Sequence, residues 1–386
     1  MIDKTSGLLK GTSVKALILC PDGSVPGGVA NYYKTLLPYL QIPYQRVAVG
    51  RRLVHNGPVH LFVRLVKDYA SLFFLLTNAH MDVVLLNPSL SWKAFLREGV
   101  NLLISKAKGN RVVVLIHGWD PAFEKTLVTY LHALVRYVYG KADAFIVLSL
   151  SFKESLLNMG IKAPIYVETT VVDDSTFTKT SIKSTCHSNR RLNILFLSRM
   201  DKGKGLDETI EAYRIIKKLY PDVSLTLAGD GPELTRIKSD IGEKGLKDIE
   251  VLGHVTGDDR TAAFAKSDIY LFPTTYGEGM PTTVLEAMAF GLPVITRPVG
   301  GVCDFFENEK MGFLTESKDP TVFATLIERL TGNPSLRKEI GSYNIEFAYR
   351  YFRASTVARR IEQILQDTAC GRVGSGIHWR KGSSKC

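Results

Sequence analysis

The chain has 386 residues, a formal net charge of +11 at pH 7 and 45% apolar residues. This length exceeds what one hydrophobic core usually holds, so two domains are expected. The five cysteines are an odd number without C-x-x-C spacing, which argues against a disulfide framework and a zinc ribbon and fits a reducing compartment. No apolar run approaches the roughly 18 residues that span a bilayer, and no signal-peptide pattern is seen, so a cytoplasmic protein is expected.

The first half of the chain alternates strands with helices. Apolar runs predict strands at 14–20, 81–87, 111–117 and 142–149. Strands that are unbroken apolar runs, separated by helices, indicate a parallel sheet covered on both faces. Residues 1–185 are therefore predicted to form one doubly wound domain.

The same α/β pattern restarts after a polar stretch, which marks the predicted domain boundary. Further strands are predicted at 192–198, 249–255, 267–274, 293–298 and 312–316, and a strand followed by a turn at 223–232. Residues 186–354 should form a second doubly wound domain. The helix predicted at 355–368 should pack back on the first domain, and the basic tail at 369–386 is expected to be disordered.

One segment of the second domain, YGEGMPTTVLEAMAFGLPVIT (276–296), combines a glycine-rich loop with a helix start. The loop follows a strand, and open α/β sheets bind ligands at the carboxyl ends of their strands. The first helical residues Thr282, Thr283 and Val284 offer backbone N–H groups without partners inside the helix. Together with the helix dipole they predict an anion site.

Two carboxylates flank this helix start. Glu278 lies in the loop and Glu286 lies about a turn and a half into the helix. A phosphate at the helix end with a sugar near each carboxylate is the arrangement of a nucleotide sugar, because carboxylates accept paired hydroxyl hydrogen bonds. The alternative is a surface loop acid and a helix-face acid. The surrounding strand, glycines and proline favour the ligand site.

The Glu278-x7-Glu286 spacing resembles the E-x7-E signature of retaining glycosyltransferases of family 4. These enzymes have the GT-B fold, in which two Rossmann-like doubly wound domains face a central cleft. The resemblance covers nearly all of the second domain and most of the first, and leaves out the tail. It implies that Glu278 orients the donor sugar with the backbone of Gly279 and Met280 nearby, and that Glu286 holds the ribose.

Two cations follow another strand end, in FLSRMDKGKGLDETIEAY (196–213). Arg199 can present a planar fork and Lys204 a point charge, which together suit a diphosphate leaving group. Solvated surface charge is the alternative. The segment resembles the family's GR-x4-KG element, whose Arg and Lys bind the donor phosphates, with Ser198 in place of the commoner glycine.

Further candidates lie at loops after strands. Gly27 and Gly28 precede a helix and could let backbone reach a phosphate, although a plain turn is equally compatible; they are similar to the family's GG loop. The resemblance implies that His117 sits close to the donor sugar and that backbone near Val255 holds the nucleobase. Asp120 is a second polar group for donor or acceptor.

The resemblance also bears on cofactors. No D-x-D, H-E-x-x-H or Walker motif is present. The resemblance implies that no metal or other cofactor is required, and that the donor is a nucleoside diphosphate sugar, with UDP or GDP expected.

Segment 50–76 pairs basic residues such as Arg64 and Lys67 with apolar ones such as Phe73 and Phe74. A basic, apolar helix can lie on an anionic membrane. A packed helix with a solvated basic edge is the alternative, and both interpretations stay open.

The sequence therefore predicts a retaining, metal-independent glycosyltransferase. It would transfer a sugar to a hydroxyl of a glycan or lipid-linked acceptor in cell-surface polysaccharide or lipopolysaccharide biosynthesis, in the cytoplasm or on the cytoplasmic membrane face. The family's expected route is same-face substitution assisted by the leaving phosphate. The alternatives are a non-catalytic sugar-nucleotide-binding protein of a membrane glycan assembly and a nucleotide-sugar epimerase. Nucleic-acid binding is not expected, because only the net charge suggests it.

Overall fold

The structure is a computed structural model that describes residues 14–24, 27–50, 58–88, 91–180, 191–374 and 376–377. The chain divides into two compact units. Unit 1 comprises Met1–Val171, Gly277–Met280 and Ala354–His378. Unit 2 comprises Val172–Tyr276, Pro281–Arg353 and Trp379–Cys386.

Unit 1 is built on a parallel sheet of six strands in the described part of the chain. The strands are β1 (Ala16–Cys20), β2 (Tyr44–Ala48), β3 (Val83–Leu86), β4 (Arg111–Ile116), β5 (Ala144–Val147) and β6 (Ile165–Val167). They lie in the order β2-β1-β3-β4-β5-β6. The helices that separate them are α1 (Gly28–Leu36), α2 (Pro58–Asn78), α3 (Trp92–Ala107), α4 (Pro121–Tyr130), α5 (His132–Val138) and α6 (Leu150–Asn158).

Unit 2 repeats this architecture around a second six-stranded parallel sheet within the described residues. Its strands are β7 (Asn193–Leu197), β8 (Ser224–Ala228), β9 (Ile249–Gly253), β10 (Ile269–Phe272), β11 (Val294–Thr296) and β12 (Gly312–Leu314). Its helices are α7 (Asp174–Thr180), α8 (Leu206–Leu219), α9 (Leu234–Glu243), α10 (Gly257–Ala265), α11 (Thr282–Ala289), α12 (Val302–Phe305), α13 (Pro320–Thr331) and α14 (Pro334–Tyr351). The order β12-β11-β10-β7-β8-β9 is that of a Rossmann sheet, whose strand order reverses between β7 and β10.

The last helix, α15 (Ala354–Ala369), belongs to unit 1. Its side chains Val357, Ile361 and Leu365 are fully buried and share one core cluster with residues of β1, β3, β4 and β5. Helical spacing of apolar residues places them on one side of α15, so this helix covers a face of the first sheet.

The ends of the predicted segments differ from the structure in two places. The chain already enters unit 2 at Val172, before the boundary predicted at 185/186, which lies in 181–190, outside the described residues. The tail was predicted to be disordered from residue 369, but its first residues form hydrogen bonds with unit 1. The Arg372 N–H donates to the Asp367 carbonyl at 2.7 Å and the Gly374 N–H to the Tyr166 hydroxyl at 2.9 Å. Residues 375 and 378–386 lie outside the description.

A buried ion pair fastens α15 to the residue that follows β6. Arg360 Nε donates to both carboxylate oxygens of Glu168, at 3.1 and 3.0 Å, and a terminal nitrogen donates at 2.9 Å. The Glu168 side chain is only 1% exposed. Burial raises the pKa of this carboxyl above its ordinary value, and the Arg360 guanidinium opposes that effect.

Removing the arginine should destabilise unit 1 in a pH-dependent way. We expect Arg360→Met to lower the free energy of unfolding by about 3–5 kcal/mol, because it leaves a buried charge unpaired. A carboxyl whose folded-state pKa is raised contributes stability at low pH that is lost as the pH rises through that pKa. The loss should therefore be larger at pH 8 than at pH 5, measured by urea unfolding at both values. The double variant Glu168→Gln/Arg360→Met is the control and should recover much of the loss, whereas equal losses at the two pH values would contradict the prediction.

Candidate active site

The point where the strand order of the second sheet reverses carries the predicted cations. Strands β7 and β10 are neighbours there, and their carboxyl ends lead into residues 198–205 and 273–281. The Gly203 carbonyl accepts hydrogen bonds from the Thr275 N–H at 2.7 Å and from the Tyr276 N–H at 3.1 Å. These bonds hold the two loops together, so the position of Lys204 is set by both.

Lys204 is buried, with 7% of the residue exposed. Its ammonium nitrogen lies 4.1 Å from the centroid of the Tyr276 ring. The negative face of this ring stabilises the ammonium charge. The next residue, Gly205, has φ +85°, and a Cβ there would lie 2.5 Å from the Pro273 carbonyl oxygen. Only glycine fits at this close approach of the two loops.

Arg199 differs from Lys204 in its surroundings. Its side chain is 68% exposed and forms an ion pair with Asp201. The Asp201 side chain is only 17% exposed, so the pair joins an exposed guanidinium to a largely buried carboxylate. The structure therefore places one buried and one exposed cation after β7.

Helix α11 starts at Thr282, with Pro281 as the N-cap residue and no side-chain cap in the described part of the chain. The Tyr270 hydroxyl lies 2.9 Å from the Leu197 carbonyl oxygen and 2.6 Å from the Thr283 Oγ1, which fixes the first turn against β7 and β10. The expectation for Val284 was wrong. Its N–H donates to the Pro281 carbonyl at 3.0 Å, so a local turn satisfies it.

Glu286 has a partner that sequence reasoning missed. Arg260 Nε donates to the Glu286 Oε1 at 3.0 Å, and a terminal nitrogen donates to the Oε2. Arg260 lies in the first turn of α10, 26 residues earlier, and no spacing rule connects the two positions. An isolated arginine after Asp258 and Asp259 was the only signal available.

Val255 is buried and lines an open groove of about 790 Å³ in unit 2. The groove runs past His254 and the start of α10 to the beginning of β8 and β9, where Ser224 and Ile249 line it. Val255 therefore borders space that a flat ring system could enter.

In unit 1, His117 follows β4 and is buried, with 8% of the residue exposed. Its ring meets those of Tyr32 and Tyr33 edge-on, with centroids 4.5 and 5.9 Å away. Its Nε2 has no hydrogen-bond partner among the described residues. Burial lowers the pKa of His117 to about 3, so the imidazole is neutral at physiological pH.

The loop that carries Glu278 lies against His117. A Cβ on Gly279 would come within 2.2 Å of the His117 carbonyl oxygen, so no other residue fits there without movement. Met280 is buried and Glu278 is half-buried. Glu278, Gly279 and Met280 thus belong to unit 1 together with His117.

The other predicted residues of unit 1 lie at the starts of helices α1 and α4. A Cβ added at Gly27 or Gly28 would meet nothing within 4 Å, so space remains beside the start of α1. Asp120 is the N-cap of α4, and its Oδ1 accepts from the Ala122 and Phe123 N–H groups at 2.9 and 3.3 Å. Capping explains this aspartate, and a role at an acceptor stays a prediction.

The described residues contain neither a metal-binding cluster nor a membrane-spanning helix. No three His, Cys, Asp or Glu side chains come together in a group that could hold a metal ion. No helix combines the length and apolarity needed to cross a membrane.

Comparison with known proteins finds a family model that matches most of the second unit. Residues 178–347 match the family model of glycosyl transferases group 1. The amylovoran biosynthesis glycosyltransferase AmsK of Erwinia amylovora is 26% identical over 58% of this chain and 56% of its own length. The putative colanic acid biosynthesis glycosyltransferase WcaL of Salmonella typhimurium is 27% identical over 55% of this chain and 53% of its own. The chain thus spans about half the length of these curated relatives.

Solved structures share the fold over nearly the whole chain. Anabaena HepE in complex with UDP-glucose matches 92% of this chain and 99% of its own, with 20% identity and a TM-score of 0.68. Sucrose-phosphate synthase from Thermosynechococcus elongatus matches 92% of this chain and 98% of its own, with 17% identity and a TM-score of 0.71. The predicted α/β class with two Rossmann-like domains of the GT-B type is confirmed.

Proposed function

We propose that this protein is a retaining glycosyltransferase that transfers a sugar from a nucleoside diphosphate sugar to a hydroxyl of a glycan or lipid-linked acceptor. The family of residues 178–347 supports the reaction class. The relatives of amylovoran and colanic acid biosynthesis support cell-surface polysaccharide as the product. The observation that carries the proposal is Lys204, a buried ammonium held where the Rossmann strand order reverses.

Lys204 and Arg199 would bind the donor diphosphate together with the start of α11. Lys204 is already desolvated, so its interaction with a phosphate is stronger than that of an exposed lysine. Arg199 would exchange Asp201 for phosphate oxygens. The first turn of α11, at Thr282 and Thr283, adds backbone N–H groups. These groups stabilise the charge that grows on the leaving diphosphate.

The sugar and the nucleoside would be oriented by the two glutamates. Glu278, with the backbone of Gly279 and Met280, would accept hydrogen bonds from donor-sugar hydroxyls. Glu286 would hold the ribose, and backbone at Val255 the base. Gly27 and Gly28 would approach the diphosphate, and Asp120 the acceptor.

Retention would follow from substitution on one face of the sugar. The bond from the anomeric carbon to the phosphate oxygen breaks, the acceptor oxygen bonds to the same face, and the acceptor proton moves to the leaving phosphate. His117, being neutral, would contribute a hydrogen bond near the anomeric carbon rather than a charge.

Calorimetric titration without added metal tests the donor site. The ligands are UDP, GDP and ADP with their glucose and mannose conjugates. UDP is the first choice, because Anabaena HepE was solved with UDP-glucose. We expect one nucleotide to bind with micromolar affinity or better. If none of these ligands binds, the proposal is contradicted and the non-catalytic alternative is favoured. If a nucleotide sugar binds and is converted to another nucleotide sugar without glycosyl transfer, the epimerase is favoured.

We also propose that unit 1 contacts an anionic membrane through the apolar face of α2 and α3. Exposed apolar side chains concentrate on these helices: Phe62, Val63, Val66, Phe73 and Phe74 on α2, and Trp92, Leu96, Val100 and Leu103 on α3. A basic group accompanies them. Lys108 Nζ lies 3.5 Å from the centroid of the Phe73 ring. Apolar anchors beside cations suit a bilayer with anionic headgroups, where a lipid-linked acceptor would be found.

Replacing two anchors should weaken vesicle binding. Phe62 and Phe74 are 67% and 62% exposed, so Phe62→Ser/Phe74→Ser should leave the fold unchanged. Each buried phenyl ring is worth about 1.5–3 kcal/mol, so co-sedimentation with phosphatidylglycerol vesicles should fall at least about tenfold. Leu219→Ser, in the exposed part of α8, is the matched control. Unchanged binding by the double variant, or equal binding to phosphatidylcholine vesicles, would contradict the surface assignment.

A further inference from the structure

The pairing of Arg260 with Glu286 goes beyond the roles assigned above. Two nitrogens of one guanidinium donate to the two oxygens of one carboxylate, the planar fork-to-fork arrangement. The Arg260 side chain is 28% exposed and that of Glu286 is 19% exposed, so both are largely removed from water. A pair in this environment is held in one orientation more firmly than a surface ion pair.

The surroundings of Arg260 restrict it further. Its guanidinium carbon lies 5.8 Å from the centroid of the Phe264 ring, one turn along α10. Phe264 is buried and stacks on Phe290, the residue that follows α11, with ring centroids 5.4 Å apart. The arginine therefore packs against a buried aromatic pair while it donates hydrogen bonds to Glu286.

This geometry leaves Glu286 able to bind a further ligand. A carboxylate has about four lone-pair sites, and Arg260 uses one on each oxygen. The remaining sites lie in the same plane, because the bidentate contact fixes that plane.

We propose that Arg260 is a positioning residue for nucleoside recognition, which orients the Glu286 carboxylate for hydrogen bonding to the ribose. This inference rests on the proposed donor site. It assigns a ligand preference to the pair: a ribonucleoside diphosphate over a 2′-deoxyribonucleoside diphosphate, with no effect on a diphosphate that lacks a nucleoside.

Calorimetry with UDP, 2′-deoxyuridine 5′-diphosphate and pyrophosphate tests the role of Arg260. Wild-type protein should bind UDP more tightly than the deoxy analogue. Arg260→Leu should weaken UDP binding by about tenfold, the size of one lost charged hydrogen bond, and should abolish the preference for the ribose form. Pyrophosphate affinity should change by less than about twofold. Arg260→Lys should restore part of the preference, because it keeps the charge without the fork.

Arg236→Leu is the matched control, since Arg236 also pairs with carboxylates (Asp207, Glu233 and Asp240) but lies on α9. It should leave all three affinities unchanged. If Arg260→Leu weakened the binding of UDP and of pyrophosphate equally, the pair would only support the local fold. If the variant kept the preference for the ribose form, Glu286 would need no partner. Either result overturns the inference. Failure of wild-type protein to bind UDP and pyrophosphate at all would instead contradict the proposed function.

Discussion

Replacing Lys204 with alanine should lower kcat/KM for glycosyl transfer by at least about a hundredfold, because removing one preorganised group that stabilises transition-state charge costs this much. Lys204 is buried beside Tyr276, and its loop is fastened to residues 275 and 276 through the Gly203 carbonyl. The loss should appear in both nucleotide affinity and turnover. Steady-state transfer assays together with UDP titrations measure the two effects separately.

Lys202→Ala provides the matched control for Lys204. Lys202 lies in the same loop, two residues earlier, and is exposed. Its removal takes away the same formal charge without removing a buried ammonium. We expect its activity and melting temperature to stay close to those of the wild type. Similar activity in Lys204→Ala and Lys202→Ala would show that long-range charge, not a specific contact, accounts for any effect.

The isosteric change Glu278→Gln should have the second largest effect. We expect kcat/KM to fall by about 10²–10³, since an anionic acceptor that orients the donor sugar is replaced by a neutral amide of the same shape. UDP contains no donor sugar, so UDP affinity should change by less than about threefold. Parallel titrations with UDP and with the UDP-sugar identify which part of the donor has lost its contact.

Glu316→Gln, at an exposed position in unit 2, controls for the loss of one negative charge. It should leave transfer unchanged. If Glu278→Gln lowered the affinity for UDP as much as that for the UDP-sugar, Glu278 would act on the nucleotide, and its assignment to the sugar would be wrong.

The strands that sequence reasoning found are those buried on both faces. In β1, β4 and β7 nearly every residue is buried, so a continuous apolar run predicts them. The edge strand β2, with the sequence YQRVA, was not predicted. Among the described residues it pairs only with β1, and it is half-exposed along its length, so it needs no apolar run. The three-residue strand β6 is too short for periodicity to indicate it.

The candidate site could be predicted in its residues but not in their partners. Strand ends, glycines and the helix start indicated Lys204, Glu278 and Glu286 from local sequence. The bonds from residues 275 and 276 to Gly203, and the grip of Arg260 on Glu286, join positions more than 20 residues apart. Such contacts depend on sheet order, which local patterns do not encode.

Because α15 completes the core of unit 1, the core of that unit joins segments that lie far apart in sequence. During synthesis the strands β1 to β6 emerge first, but the sheet face that α15 covers stays open to water until residues 354–369 have been made. Unit 2 lies between them in sequence and can close while the first sheet is still incomplete. A fragment ending at Val171 should therefore aggregate when expressed alone, whereas the same fragment co-expressed with a peptide of residues 354–374 has the missing helix available in trans.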